Sequence, residues 1–125
     1  AKCEKTLTPG THGSTFGGIR VVCAGAANIF GRLTDEFFLE VQAKGEYLKT
    51  FLSKMHGVEE VTGKGLMIGL KLHPGVSVRA VAERCLQKGL MVLTAHDRIR
   101  LLPPLNITKA EMDEGLNILS EVLAE

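Results

Sequence analysis

Apolar positions along this chain change their period from segment to segment, and the changes mark its elements. From about Arg20 to Leu33 the run Val21, Val22, Cys23, Ala24, Gly25, Ala26, Ala27, Ile29 and Phe30 predicts a helix whose small residues would let another backbone pack closely. A second helix is predicted from about Asp35 to His56, with Thr34 or Asp35 as N-cap and acids in its first turn, where they complement the helix dipole. Phe37, Val41, Leu48, Phe51, Leu52 and Met55 recur at helical spacing and define its expected buried face. Gly57 is its expected stop.

The pattern then shortens. Val58 to Thr62 and Leu66 to Leu72 read as strands separated by a Gly63-Lys64-Gly65 turn. His73-Pro74-Gly75 breaks the chain, and Ser77 to Lys88 follows as a helix burying Val78, Val81, Ala82 and Cys85 or Leu86, closed by Gly89. Leu90 to Thr94 and Arg98 to Leu102 are expected as short strands around a His96-Asp97 turn, and Pro103-Pro104 ends the strand region because proline supplies no ladder N–H. Thr108 and Glu111 form a capping box for a last helix burying Met112, Leu116, Leu119 and Leu123.

This order predicts an α+β fold: a two-layer sandwich with a small, mostly antiparallel sheet covered on one face by helices. A long helix and an N-terminal glycine-rich segment precede it. A right-handed crossover places strands 66–72 and 90–94 parallel but not adjacent, with strand 98–102 between them and antiparallel to both. The expected domain division is 1–33, a glycine-rich segment with a linking helix, and 34–125, a compact small domain.

With 125 residues, 45% hydrophobic and 23% charged, the chain is sized for one core. A formal net charge of +1 without a cationic block gives no support to nucleic acid or an anionic membrane as partner. No apolar run approaches the roughly 20 residues of a membrane span, and no signal-peptide pattern opens the chain. Ala1-Lys2-Cys3-Glu4-Lys5 reads instead like a cut inside a longer protein. Cys3, Cys23 and Cys85, odd in number and widely spaced, argue against a disulfide framework and for a reducing, cytoplasmic setting. Cys23 and Cys85 are expected as buried structural thiols. His12, His56, His73 and His96 show no i, i+4 pairing or Cys/His cluster, so no metal site is expected.

Three motifs carry chemistry. His12-Gly13-Ser14-Thr15-Phe16-Gly17-Gly18 is a glycine-rich loop with adjacent hydroxyls, suited to approaching a phosphate because glycine removes the obstructing Cβ. Gly63-Lys64-Gly65-Leu66-Met67-Ile68-Gly69 and Ile99-Arg100-Leu101-Leu102-Pro103-Pro104-Leu105 follow. Strand alternation points Ile99 and Leu101 into the helical layer and Arg100 to the free face, where its planar fork suits a carboxylate. Lys64 in its glycine turn is a poor Schiff-base candidate, because an exposed turn offers neither desolvation nor a neighbouring cation to lower its pKa.

In this order and spacing the motifs resemble the C-terminal part of the acetylornithine aminotransferase family, class III, fold-type I enzymes that use pyridoxal phosphate. The resemblance runs from about Thr8 to the end. It implies that Thr15, with Ser14 beside it, binds the phosphate of the partner subunit's cofactor, and that Arg100 binds the substrate α-carboxylate. It implies a homodimer, a large domain preceding this segment, and a small amino-acid substrate. It also implies that the catalytic lysine, the aspartate at the pyridine nitrogen and a second phosphate loop lie in that large domain, leaving no catalytic residue in this chain and no cofactor bound to it alone. Lys64 then remains a turn residue and a candidate for interdomain contact.

The chain departs from the family pattern where Ile19-Arg20 replaces the usual Asn-Pro, through divergence of the protein or through altered packing at a cut surface. The implied parent reaction is transfer of the δ-amino group of N-acetylornithine to 2-oxoglutarate, in arginine biosynthesis. Succinylornithine, ornithine and 4-aminobutyrate aminotransferases are alternatives within the family. A non-catalytic, amino-acid-binding regulatory domain is the alternative outside it, since a β-α-β-β-α order serves both.

Overall fold

The computed structural model describes Gly10 and residues 13–125. The chain divides into two compact units, residues 1–34 and 35–125. In the first unit a turn at 15–18 leads into helix α1, Arg20–Phe30. The helix stops short of the expected Leu33 because Gly31, Arg32 and Leu33 continue as tight turns, with Arg32 N–H donating to the Ile29 carbonyl at 2.9 Å. No residue of α1 is buried. Cys23 is accordingly exposed, against the expectation of a buried thiol: its valine and alanine neighbours share a helix that covers nothing within this unit. Cys3 and His12 lie outside the described residues.

The second unit holds α2 (Asp35–Leu52), β1 (Val58–Lys64), β2 (Met67–Leu72), α3 (Val78–Gln87), β3 (Leu93–Ala95), β4 (Arg98–Leu101) and α4 (Lys109–Ala124). The sheet order is β1-β2-β4-β3, and every neighbouring pair is antiparallel. This is the expected α+β arrangement, with β4 inserted between β2 and β3. Ile68, Leu70 and Leu72 of β2 and Ile99 of β4 are buried, and Leu48, Leu52, Val81, Cys85, Met112, Leu116, Leu119 and Val122 complete the core from the helices. The intervening strand residues face away from the helices. Full burial of such side chains contributes about 1.5–3 kcal/mol each, and it is this one-sided burial that fixes the strand register.

Helix α2 ends at Leu52 rather than His56: bonds from Lys54 to Phe51 and from Met55 to Leu52 tighten the chain before Gly57 at φ +81°. Its buried seam is Gly45, Leu48 and Leu52, which leaves Phe51 at the rim, half exposed and against the Tyr47 ring at 4.8 Å. Gly45 sets that seam. A Cβ built there would lie 2.4 Å from the Gly65 carbonyl oxygen, so the helix crosses the β1–β2 hairpin backbone to backbone.

The hairpin turn is Gly65-Leu66, not Gly63-Lys64-Gly65. Gly63 pairs with Ile68 and Lys64 with Met67, so both belong to the ladder. Gly65 takes the left-handed turn conformation, φ +54°. Strand β3 is shorter than the expected 90–94 and shifted onward, because β4 reaches only Leu93 to Ala95, while Leu90 packs against the core. The turn at His96-Asp97 places His96 at φ +55°.

Helices α3 and α4 are both capped at their N-termini, α4 by the predicted box. Ser77 Oγ accepts from Ala80 N–H at 3.3 Å. Thr108 Oγ1 accepts from Glu111 N–H, and the Glu111 carboxylate accepts from Thr108 N–H at 2.8 Å. In α3, Cys85 is the buried alternative and Leu86 is exposed.

Candidate functional site

Ser14 and Thr15 open the turn in the first unit. Gly17 N–H donates to the Ser14 carbonyl at 3.4 Å, and Gly18 closes the turn at φ +79°. A side chain at Gly17 would meet Ser14 Oγ at 3.1 Å, whereas Gly13 and Gly18 face open space. Both hydroxyl residues are exposed. The turn therefore presents two hydroxyl donors beside glycines that leave room for an oxyanion, a donor set whose chemistry suits a phosphate group.

Arg100 sits on β4 in the second unit, between buried Ile99 and half-buried Leu101. Its cross-strand partners are Gly69 on β2 and Leu93 on β3. The alternation expected from sequence holds: Ile99 is fully buried and Arg100 is exposed on the opposite face. Among the described residues, no hydrogen bond or ion pair engages the Arg100 guanidinium, so its five donors are available to a ligand.

Arg98 and Lys71, the other cations in the rows nearest Arg100, are paired. Arg98, on the same face but half-buried, contacts the Glu60 carboxylate at 2.7 Å and Thr62 Oγ1 at 3.3 Å. Lys71 pairs with Glu59 at 2.9 Å. Lys64 ends β1, exposed, in the row of Met67. Sequence reasoning singled out Arg100 and passed over Arg98, Glu60, Thr62 and Gly69. The signal was present in Arg98-Ile99-Arg100, whose alternation puts two arginines on one face.

Beside β4, an apolar cavity of about 350 Å³ is lined by Leu90, Val92, Ile107, Leu116 and Leu119, with Arg100 and Glu111 as its charged lining residues. Glu111 is taken up by the Thr108 cap, whose backbone N–H and then hydroxyl hold its carboxyl below the usual carboxylate range. Cys85 is buried, and its desolvation pushes the thiol pKa up, the opposite of an activated nucleophile. Among the described residues no three His, Cys, Asp or Glu side chains cluster as metal ligands, and no helix is long and apolar enough to cross a membrane.

A one-sided antiparallel sheet with an uncommitted arginine on its open face, preceded by a hydroxyl-bearing glycine turn, matches a known family. The aminotransferase class III model matches residues 1–123, and the chain belongs to that family. Among curated relatives it is similar to the acetylornithine aminotransferase of Haemophilus ducreyi, 39% identical over 124 residues, covering 99% of this chain and 32% of that protein. It is also similar to the acetylornithine aminotransferase of Caldanaerobacter subterraneus, 40% identical and covering 100% of this chain and 33% of that protein. The chain thus spans about a third of the length of the curated relatives it matches.

Solved structures agree. The ornithine aminotransferase of Toxoplasma gondii superposes with a TM-score of 0.79 at 26% identity, over 99% of this chain and 31% of that one. The acetylornithine aminotransferase of Elizabethkingia anophelis gives 0.75 at 27% identity, over 96% and 34%. The family as a whole depends on pyridoxal phosphate.

Proposed function

We propose that this chain is the C-terminal part of an acetylornithine-type aminotransferase that transfers the δ-amino group of N-acetylornithine to 2-oxoglutarate in the cytoplasm. The observation that carries this reading is the free Arg100 guanidinium on the open sheet face, within a chain about 40% identical to acetylornithine aminotransferases. Bound pyridoxal phosphate would supply the electron sink for the amino transfer. Arg100 holds the substrate α-carboxylate with two parallel N–H donors, which orients the far amino group toward the reacting centre. Thr15, with Ser14 beside it, donates hydroxyl hydrogen bonds to the cofactor phosphate of the second subunit in a homodimer. The exposed apolar side chains of α1, with Val22 and Ile29 seven residues apart on one face, belong with the large domain and the subunit interface.

The chain by itself is inactive, since the Schiff-base lysine belongs to the large domain. Lys64 is exposed at a strand end, away from any enclosed site. Incubating the 125-residue chain with pyridoxal phosphate and borohydride should label no single lysine stoichiometrically, and N-acetylornithine should not turn over. The longer protein should transaminate N-acetylornithine in preference to ornithine, succinylornithine and 4-aminobutyrate. Turnover by the chain alone, or a longer protein inert toward all four amines, would overturn the assignment.

A further inference from the structure

The side chains next to Arg100 do more than decorate the open face. In cross-strand rows, Thr62, Gly69, Arg100 and Leu93 stand side by side, and Glu60, Lys71, Arg98 and Ala95 form the next row. Arg98 does not stay over its own strand. It crosses β2 diagonally to β1, where Nη2 contacts the Glu60 carboxylate at 2.7 Å and Nη1 donates to Thr62 Oγ1 at 3.3 Å. Gly69 lies beneath the crossing: a Cβ there would make ordinary contact with Arg98 Cδ at 3.7 Å but would crowd Thr62 Oγ1, the hydroxyl that accepts from Nη1, at 3.1 Å. Three strands are thereby strapped together within one row of Arg100.

The strap has an electrostatic consequence. Arg98 and Arg100 are two residues apart on one face, so their backbones stand about 7 Å apart, close to the span of a short dicarboxylate. Left uncommitted, they would form a two-pronged receptor for such a ligand. Lys71, the other cation of these rows, is already paired with Glu59.

We propose that Glu60, acting through Arg98, sets the carboxylate specificity of this face. It commits the second guanidinium, so that a ligand meets one free arginine, Arg100, and a dicarboxylate gains nothing from its second end. The proposal rests on the reading of Arg100 as a carboxylate ligand. Glu60 touches no ligand itself: it is a positioning residue, and Thr62 is the second partner that holds Arg98.

The test uses the 125-residue chain labelled with ¹⁵N, following the arginine Nε–Hε signals while acetate or glutarate is added at constant low ionic strength. In the wild type, glutarate should move the Arg100 signal no more than about twice as steeply as acetate, the factor expected from its two ends acting independently. The Arg98 signal should stay still. In Glu60→Gln the glutarate-to-acetate ratio should rise at least about threefold further, the gain of one added exposed charge pair, and Arg98 should move with Arg100. Glu60→Ser should repeat this if the glutamine variant folds poorly, and adding Arg98→Leu to either should return the wild-type ratio. A ratio unchanged by both Glu60 substitutions, with Arg100 still responding to acetate, overturns the role of Glu60 alone. An Arg100 signal indifferent to acetate in every variant overturns the carboxylate reading, and this proposal with it.

Discussion

Replacing Gly45 by alanine separates two forces of opposite sign. On an exposed helix the change would stabilise by about 1 kcal/mol, because alanine is the better helix former. Here the new Cβ would meet the Gly65 carbonyl oxygen at 2.4 Å, its carbon at 2.7 Å and its Cα at 2.9 Å. These are backbone atoms of a turn residue at φ +54°, so no flexible side chain can swing aside. The helix and hairpin must part by about 1 Å, an overpacking that costs about 1–3 kcal/mol. Since the clash is with backbone, we place it at the upper end, and the net loss is about 1–2 kcal/mol. With a urea slope of about 1–2 kcal/mol/M for a domain this size, the midpoint should fall by roughly 1 M. Tyr47, the single tyrosine in a chain without tryptophan, lies on α2 and reports this unit by its fluorescence. A Gly45→Ala variant as stable as the wild type, or more so, would refute the close crossing of α2 over the β1–β2 hairpin.

Other outcomes follow from the same packing. Leu119→Ala, at a fully packed position, should cost about 2–5 kcal/mol in urea unfolding; a loss below 1 kcal/mol would contradict a filled core there. Native-state alkylation with peptide mapping should modify exposed Cys23 quickly and Cys85 only after unfolding, and equal rates would show that α3 does not bury its thiol. Acid should also weaken the fold. Asp113 is held below its ordinary range by Lys109 and then Tyr47, Glu111 by the Thr108 N–H and then its hydroxyl, and Glu125 by Lys88. Their folded-state pKa values lie below the unfolded ones, so this stabilisation is present above the usual carboxylate range and is lost as pH falls through the lowered values. Circular dichroism at low salt should show unfolding midpoints dropping below about pH 4.5, less steeply in Thr108→Ala, and a stability that rose on acidification would refute these pairings.

Much of this fold is written in local patterns. The Thr108/Glu111 box and the buried face of α4 each depend on neighbours three or four residues away, and those were readable from the chain. So was the insertion of β4 between β2 and β3, because crossover handedness leaves few alternatives. What escaped depends on distant partners. Gly45 looks like a weak point in a helix until Gly65 is known to cross it. Phe51 fits a helical period yet sits at the rim, since the seam is set by Gly45, Leu48 and Leu52. Gly63 and Lys64 read as a turn, but the ladder runs through them and turns at Gly65-Leu66. At the site, alternation located Arg100, whereas the Arg98 strap needed β1 and β4 placed on either side of Gly69.

The central claim is that Arg100 recognises substrate rather than holding the sheet together. Its most direct test is steady-state kinetics of Arg100→Ala and Arg100→Lys in the longer enzyme, alongside thermal unfolding of each. Losing a charge-assisted contact worth about 1.5–3 kcal/mol should lower kcat/KM for N-acetylornithine by roughly ten- to a hundredfold in the alanine variant. Lysine should recover only part of this, lacking the planar fork, and melting should be little changed in both. An alanine variant that turns over substrate normally yet unfolds far earlier would make Arg100 a structural residue and contradict the assignment.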